Sequence, residues 1–391
     1  MMALEGILVL DVGRVGPGPY AGMLLADFGA RVIKVEDALE GDHLRHLYHI
    51  GGIGAGHLIY NRNKESIGVN LKDPRGREIF MKLAQKADVV LESFRPGVVD
   101  RLGVGYQDVQ VMNPGVIYCS ISGYGQDGPY RDRPGHDLNY ISIGGALGIT
   151  GQPGGPPVIP GFPYCDASGG MFAVLGVLLA LQARQRTGQG QFIDVSMMDG
   201  AVHWLFEPLI KFLSTGCSPL PGEERLSGAI AAYNVYRTKD GRYLSIGILE
   251  PHIWSNFCLL LGRPDLLDCQ FDDGEAGARA KQYLAEVFAG HTLQEWEERL
   301  EGADVCWAPV KTFEETFDDP QVRHRELLVE QDHPVLGKIK VLGLPFKMSS
   351  TPGAVRKPAP AHGEDTLAIL QGLGYHRQEA QELRAAAVVA F

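Results

Sequence analysis

Closely spaced cysteine pairs are absent from this sequence, and so is any excess of basic residues. The six cysteines are scattered and none forms a C-x-x-C pair, so we expect neither a disulfide framework nor a metal site. Acidic residues outnumber basic ones by 47 to 36, which gives a net charge of −11. Nucleic acids and anionic membranes are bound through basic surfaces, so the composition argues against both as partners. Reduced thiols indicate a cytoplasmic protein.

Long hydrophobic runs are scarce too. The longest, "GGMFAVLGVLLALQA" at 169–183, falls short of the roughly 18 residues that a membrane span requires. The N-terminal "MMALEGILVLDVG" carries an acidic residue and no basic region ahead of its apolar stretch, which predicts a strand and not a signal peptide. We therefore expect no membrane association.

Short apolar runs alternate with helical segments through the first half of the chain. A strand is predicted for "GILVLDVG", a helix for "GPGPYAGMLLADFGA" and a second strand for "RVIKVE". This order is typical of a parallel sheet with covering helices. From about Tyr233 the pattern changes to a β-hairpin, with Asp240-Gly241 at its turn, and then to polar helices. We predict an α/β domain of the nucleotide-binding kind and a smaller second domain, with the Pro-rich segment 333–365 returning along the first.

Two features of the first half point to a phosphate-bearing ligand. The loop Val15–Gly22, "VGPGPYAG", would admit a ligand to a helix N-terminus, where phosphate is favoured. Neither this loop nor "GGIGAG" at 51–56 is a dinucleotide fingerprint in the right context. A group of cations suits a ligand with several phosphates, although ordinary surface ion pairs would explain it equally well. These cations are Arg62, Lys64, Lys72, Arg75, Arg77, Arg95 and Arg101.

Three residues are candidates for acid–base or nucleophilic chemistry. His136 lies in the polar turn "PGHDLNYI", Asp166 precedes a glycine pair and an apolar helix, and Glu250 follows a predicted strand. Each has an ordinary structural explanation, such as a helix N-cap for Asp166. An aspartate at the positive end of a helix is also kept ionised and can act on a nearby carbonyl group. The residues alone leave both explanations open.

Seven segments resemble, in their order, the landmarks of one enzyme superfamily. They are "RNKESIGVNLKDPRG", "ESFRPGVVDRLGVG", "NPGVIYCSISGYGQDGPY", "GHDLNY", "RTGQGQFIDVSMMDG", "YRTKDGRYLSIGILEP" and "CWAPVKTFEE". The superfamily is that of the class III CoA-transferases, and within it the segments are most similar to the α-methylacyl-CoA racemases. The similarity covers nearly the whole chain.

The resemblance implies a Rossmann-like large domain formed by both chain ends, 1–205 and 330–391, with linker helices and a small α+β domain at 206–329. It also implies an interlocked homodimer, in which each active site lies between one subunit's large domain and the other's small domain. The acyl-CoA substrate would bind to the large domain. The positions implied for CoA binding are Gly16, Pro17, Leu71, Lys72, Ser93, Phe94, Arg95, Arg101, Gly135, Asp137 and Tyr140.

In the racemase branch the catalytic groups fall on His136 and Asp166, with Glu250 supporting the histidine. One group removes the proton beside the thioester and the other returns a proton on the opposite face. The enolate oxygen needs fixed donors, which backbone N–H groups of the glycine-rich turn after Asp166 would supply. The glycine-rich segment 144–151 would let the acyl chain lie close. No metal or redox cofactor is required, and coenzyme A is part of the substrate.

A CoA-transferase is the alternative. In that branch the aspartate, here Asp166, attacks the thioester, and CoA moves between carboxylic acids through an aspartyl-CoA intermediate. Two positions depart from the racemase pattern. Phe162 stands where racemases carry an asparagine, and Asp37 stands where many members carry a phosphate-binding arginine, so Lys34 or another cation would have to replace it. We favour a racemase or epimerase acting on 2-methyl-branched acyl-CoA, because the histidine and glutamate of that branch are both present.

Overall fold

The computed structural model describes residues 1–391 and divides into two compact units. Unit 1 comprises residues 1–144, 161–203 and 320–391, and unit 2 comprises 145–160 and 204–319. The segment 145–160, which the sequence analysis assigns to the large domain, lies in unit 2 because Pro153 packs against Gly222. Residues 320–329 lie in unit 1, because the strand that begins at Leu328 pairs with another strand of that unit.

Strands and helices alternate along unit 1, and helices dominate unit 2. The strands are β1 Leu8–Asp11, β2 Arg31–Glu36, β3 His49–Ile50, β4 Ile53–Gly54, β5 Lys64–Val69, β6 Val89–Glu92, β7 Ile117–Ser122, β8 Gln191–Ser196, β9 Tyr233–Arg237, β10 Tyr243–Gly247, β11 Trp307–Pro309, β12 Leu328–His333, β13 Gly337–Leu342 and β14 Val389–Ala390. The α-helices are α1 Pro17–Asp27, α2 Ala55–Tyr60, α3 Pro74–Ala84, α4 Val98–Leu102, α5 Tyr106–Met112, α6 Asp137–Ile143, α7 Tyr164–Thr187, α8 Met197–His203, α9 Phe206–Thr215, α10 Pro251–Leu260, α11 Glu275–Ala289, α12 Leu293–Leu300, α13 Phe313–Asp318, α14 Pro320–His324, α15 Thr366–Gly372 and α16 Arg377–Ala385.

Unit 1 is built on a seven-stranded sheet in the order β14-β5-β2-β1-β6-β7-β8. All neighbours are parallel except β14, which runs antiparallel to β5. Strands β6 and β7 are buried along their whole length, as parallel strands covered on both faces must be. The parallel strands follow the 3-2-1-4-5-6 order of doubly wound sheets, which bind ligands at the carboxyl ends of their strands, where the order reverses. Here that point lies between β1 and β6, and the predicted α/β class is confirmed.

Helix α7 is longer than the apolar run in its sequence suggests. It spans 24 residues, and an 18-residue window has a mean hydropathy of 1.6 with 44% of the window buried. Our expectation that no segment reaches membrane-spanning length is therefore wrong, although core helices pass the same test. In unit 1 the helix packs against α1, α8, β7 and β8. Gly169 and Gly170 bring its backbone close to Met197 of α8 and Tyr20 of α1, so α7 packs tightly against these two helices.

Unit 2 has a hydrophobic core of its own. Strands β9, β10 and β11 form an antiparallel sheet, and the buried rings of Trp254, Phe257, Phe288 and Trp296 lie in the core beside it. Both indole N–H groups donate to backbone carbonyls, at 2.9 and 3.0 Å, so the large rings are buried without an unsatisfied donor. The hairpin predicted from Asp240-Gly241 is confirmed, because β9 and β10 pair in antiparallel register across that turn.

Candidate active site

A cavity of about 240 Å³ lies at the carboxyl ends of β1, β6 and β7 in unit 1. Its wall includes both His136 and Asp166. The remaining wall is formed at and just after the ends of the three strands, chiefly by residues 14, 15, 17, 93–96 and 121–124, and by residues 131 and 133–135 ahead of the histidine. The cavity therefore sits where the sheet topology places ligand sites.

Asp166 is the third residue of α7, and it does not cap the helix. The N-cap residue is Pro163, and Asp137 Oδ1 accepts hydrogen bonds from the backbone N–H groups of Cys165 and Asp166. Because Asp137 occupies the capping position in space, the N-cap interpretation of Asp166 is wrong. The carboxylate of Asp166 accepts no hydrogen bond within the chain. Gly16, with φ at +69°, lies against it, and a Cβ there would be 3.1 Å from Asp166 Oδ2.

The pKa of the Asp166 carboxyl is raised from its ordinary value of 3.8 to about 6. Burial is the largest cause, the negative charge of Asp137 adds to it, and His136 acts in the opposite direction. A carboxyl group that titrates near neutral pH can both accept and release a proton, as acid–base catalysis requires. The surroundings of Asp166 therefore favour proton transfer over a purely structural role.

His136 is the N-cap residue of α6, yet its imidazole makes no capping hydrogen bond. Its backbone N–H donates to Asn139 Oδ1 at 3.0 Å, so the turn is fixed without the ring. Gly135 is held by Tyr140, whose hydroxyl donates to Gly135 O at 2.5 Å. The imidazole thus stands exposed in the cavity wall, and histidine is the side chain best suited to exchange protons near neutral pH.

Four arginines line the cavity, and three of them have no carboxylate partner. Arg14, Arg95 and Arg133 form no ion pair, whereas Arg131 contacts the neighbouring Asp132 at 2.9 Å. Guanidinium groups hold phosphate oxygens through paired N–H donors. An anionic ligand is therefore expected on this side of the cavity.

Only part of the cation group predicted from the sequence is available to a ligand. Arg62 and Lys64 are buried, each in an ion pair with a buried aspartate at 2.6 and 2.7 Å, so their inclusion in that group is wrong. A cation that is buried needs a carboxylate partner. Here the partners are Asp27 and Asp11, which lie too far away in sequence for a local pattern to reveal them. Arg75 is paired with Asp73 at 2.8 Å. Three residues of the predicted cation group form no ion pair and lie outside the cavity wall, namely Lys72, Arg77 and Arg101.

The positions implied for CoA binding divide into three sets. Those in the cavity wall are Pro17, Ser93, Phe94, Arg95, Gly135 and Tyr140. Gly16 touches Asp166, and Asp137 caps α7. Those outside the wall are Leu71, Lys72 and Arg101. Glu250 lies in unit 2, where it is the exposed N-cap residue of α10 and its side chain makes no capping hydrogen bond.

The sequence profile of CoA-transferase family III matches residues 4–366. The chain belongs to CoA-transferase family III. Succinyl-CoA:glutarate CoA-transferase of Mus musculus is 36% identical, over 95% of this chain and 86% of that protein. Alpha-methylacyl-CoA racemase of Homo sapiens is 34% identical, over 99% of this chain and 98% of that protein. A CAIB/BAIF family protein from Brucella suis has a crystal structure that matches with a TM-score of 0.82 at 30% identity, covering 95% of this chain and 99% of that one.

The family predicted from the sequence motifs is thus confirmed, and this family III chain has both transferases and racemases among its relatives. The structure shows the surroundings of Phe162 and of the cation expected to replace an arginine at Asp37, the two departures from the racemase pattern. Phe162 is 60% exposed, and its phenyl ring has no donor that could hydrogen-bond the Asp166 carboxylate. Lys34 is 1% exposed and pairs with Asp42 at 2.8 Å, so it cannot replace the arginine missing at Asp37. Cations without an ion pair are found among the arginines of the cavity wall and, outside it, at Lys72, Arg77 and Arg101.

Backbone N–H groups at the start of α7 are already occupied in this family III chain. Those of Cys165 and Asp166 bond the capping carboxylate, and that of Ala167 bonds Pro163 O. The glycine pair 169–170 lies inside the helix, where N–H groups bond carbonyls of the preceding turn. Our expectation that this turn supplies donors to an enolate oxygen is therefore wrong.

Sequence reasoning does not single out several residues of the cavity wall. Arg14, Arg131 and Arg133 line it, and so do Ser122 and Tyr124, whose buried hydroxyl oxygens have no hydrogen-bond partner. The three arginines are isolated loop residues outside the quoted motifs, whereas Ser122, at the end of β7, and Tyr124 lie inside one motif without standing out from it. The available signal is position, because they follow the ends of neighbouring parallel strands, whose carboxyl ends meet at one edge of the sheet.

Proposed function

We propose that this chain is a racemase or epimerase of 2-methyl-branched acyl-CoA thioesters. The observation that carries the proposal is that His136 and Asp166 line the same cavity. Inversion of a carbon beside a thioester requires a base on one face and an acid on the other. An imidazole and a carboxylate can each take either role, so one pair of side chains serves both directions of the reaction.

The proton path follows from the state of the two groups. At pH 7 to 8 most Asp166 side chains are ionised, because the pKa of this carboxyl is about 6. The carboxylate takes the α-proton from one face of the substrate, and a protonated His136 returns a proton to the other face. In the reverse direction the neutral imidazole is the base and the carboxylic acid is the donor. Both steps use side chains alone, so we expect no metal or redox cofactor, and coenzyme A enters as part of the substrate.

Coenzyme A would bind along the large domain, with its phosphates on the arginine side of the cavity. Support comes from the unpaired guanidinium groups of Arg14, Arg95 and Arg133 in the cavity wall. The acyl thioester would then lie toward His136 and Asp166. In a chain of net charge −11, a local group of cations concentrates a polyanionic substrate at the site.

We further propose that the chain forms an interlocked homodimer in which Glu250 of the partner subunit supports the histidine. Support comes from an apolar surface on α9, where Phe206, Ile210 and Leu213 are 55%, 59% and 73% exposed. Contiguous apolar patches of this kind mark interaction surfaces in most proteins. The cytoplasmic location stays a prediction.

Isotope exchange tests the racemase proposal directly. With 2-methylacyl-CoA in D2O, deuterium should enter the α-position, and His136→Ala or Asp166→Asn should slow this by about 10² to 10⁴. The matched control is His46→Ala, because His46 is exposed and bonds a backbone carbonyl outside the cavity. Absence of exchange across a panel of branched acyl-CoA thioesters would refute the proposal.

A CoA-transferase is the second candidate, and one observation favours it. The Asp166 carboxylate accepts no hydrogen bond within the chain, which leaves it free to attack a thioester carbonyl. During turnover the enzyme would then be inactivated by hydroxylamine, and mass spectrometry would find the adduct on Asp166. His136→Ala would be tolerated. An unmodified Asp166 after incubation with a competent CoA donor would eliminate this candidate.

A further inference from the structure

Asp137 joins the two structural elements that carry the proton-transferring groups. It directly follows His136 and is the first residue of α6. Its Oδ1 atom accepts hydrogen bonds from the backbone N–H groups of Cys165 and Asp166 at the start of α7, the second at 3.1 Å. One carboxylate oxygen therefore spans from the histidine turn to the helix that holds the aspartate.

Helix α7 has no cap of its own that would make this contact redundant. Its N-cap residue is Pro163, which has no side-chain donor or acceptor and makes no capping hydrogen bond. The first N–H groups of a helix need partners from outside it, and a carboxylate at that end also interacts favourably with the helix dipole. Asp137 supplies both a hydrogen-bond acceptor and a negative charge from another helix, so the N-terminus of α7 is fixed relative to α6.

The same carboxylate acts on Asp166 through its charge. After burial, the negative charge of Asp137 is the next largest cause of the raised pKa of Asp166, and the charge of His136 opposes it. A like charge nearby disfavours the ionised form of a carboxyl group. The geometric link and the electrostatic link therefore come from one side chain.

We propose that Asp137 is a positioning residue, which holds Asp166 in place relative to His136 by accepting N–H bonds from the start of α7. The charge of its carboxylate acts on Asp166 from the same position. In this role it contacts backbone N–H groups and not the substrate, in contrast to the CoA-binding role that the family resemblance implies. The inference rests on the proposed function in one respect, namely that His136 and Asp166 are the pair that moves protons.

Two substitutions separate the geometric part from the electrostatic part. Asp137→Asn keeps an oxygen that can accept both N–H bonds but removes the charge, so the acid limb of the exchange rate against pH should move to lower pH, with a smaller fall in the plateau rate than Asp137→Ala causes. Asp137→Ala removes both, and the plateau rate should fall by about 10- to 100-fold because misplacement of a reacting group by an ångström has that effect. Neither should weaken binding of free CoA in calorimetry.

The matched control is Asp108→Asn. Asp108 also accepts a backbone N–H bond at a helix start, from Gly105 at 3.2 Å, but lies outside the cavity wall. It should leave both the plateau rate and the acid limb unchanged. A weakened affinity of the Asp137 variants for free CoA, with the pH profile unmoved, would overturn the inference in favour of a CoA-binding role.

A second measurement keeps this inference separate from the proposed function. Carboxyl NMR of the ligand-free protein should show Asp166 titrating at lower pH in Asp137→Asn than in the unsubstituted chain, whatever reaction the enzyme catalyses. Absence of α-proton exchange in the unsubstituted chain would overturn the racemase proposal, and with it the idea that Asp137 positions a proton-transferring pair. An identical Asp166 titration in both proteins would overturn the electrostatic link itself.

Discussion

Replacing Asp166 with asparagine should stabilise the folded chain at neutral pH while slowing the proposed proton exchange. In the ligand-free chain the carboxylate is largely buried, accepts no hydrogen bond and lies beside Asp137. These surroundings raise its pKa from 3.8 to about 6, which means that ionising it costs folding free energy. Asparagine has nearly the same shape and carries no charge. The side chain to which we assign the chemistry would then be one that weakens the fold.

The size of this stability gain and its dependence on pH follow from the same pKa values. A rise from 3.8 to about 6 corresponds to about 3 kcal/mol at full effect. The side chain keeps some exposure, and solvent screening reduces this to about 1 to 2 kcal/mol. Because the folded pKa is raised, the stability linked to the protonated form is complete below about pH 4 and is lost as pH rises through about 6. Relative to the unsubstituted chain, the asparagine variant should therefore be no more stable near pH 4 and should be more stable by the full difference of about 1 to 2 kcal/mol at pH 8.

Urea unfolding at pH 4, 6 and 8, at one fixed protein concentration, measures this difference. Asp268→Asn is the control, because Asp268 is exposed and removing its charge should leave the free energy of unfolding nearly unchanged at each pH. A difference between Asp166→Asn and the unsubstituted chain that is the same at all three pH values would refute the electrostatic reasoning. So would an asparagine variant that is less stable at pH 8.

Three further substitutions test other parts of the structure. Arg95→Gln should raise the Kd for CoA about tenfold, the effect of losing one charged hydrogen bond. The control Arg75→Gln, at a residue already paired with an aspartate, should leave the Kd unchanged. Equal Kd values for the two variants in calorimetry would contradict the assignment of Arg95 to the CoA phosphates. Gly16→Ala should lower stability by about 1 kcal/mol in thermal melting, because φ is +69° and non-glycine residues avoid that region. It should also slow exchange, since the new Cβ would lie 3.1 Å from a site carboxylate oxygen; an unchanged melting temperature would show that the backbone is not strained there. Asp27→Asn leaves the fully buried Arg62 without its charged partner and should cost about 3 to 5 kcal/mol in urea unfolding, whereas a loss below 1 kcal/mol would mean that water reaches the arginine.

The architecture of the sheet was predictable because its signals are local. Strands covered on both faces are mainly apolar, and β6 begins with three apolar residues, Val89–Leu91, while β7 carries only two serines among its apolar residues. The Asp240-Gly241 pair marks its hairpin for an equally local reason, since glycine adopts the positive φ of +79° that the turn uses. The length of α7 was not predictable from its apolar run, because its first and last turns are polar.

The candidate site was predictable only where a residue matched a motif. Lys34, Arg62 and Lys64 looked like ligand-binding cations, because lysine and arginine are rarely buried. Their burial depends on acidic partners distant in sequence, which local patterns do not reveal. The capping of α7 by Asp137 is of the same kind, because the acceptor and the donors come from different helices. Without coordinates, Asp166 had the appearance of an ordinary cap.

The pairing of β14 with β5 has a consequence for how the protein is made. Strand β5 lies early in the chain, yet the residues that cover its outer edge, Val389 and Ala390, follow it by about 320 residues. On the ribosome the growing sheet therefore exposes an open edge, which is the kind of surface through which unfinished chains associate. Once docked, β14 is only two residues long and leaves little for another strand to bind. Deleting β14 is thus expected to reduce soluble yield more than a deletion of the same length in a surface loop.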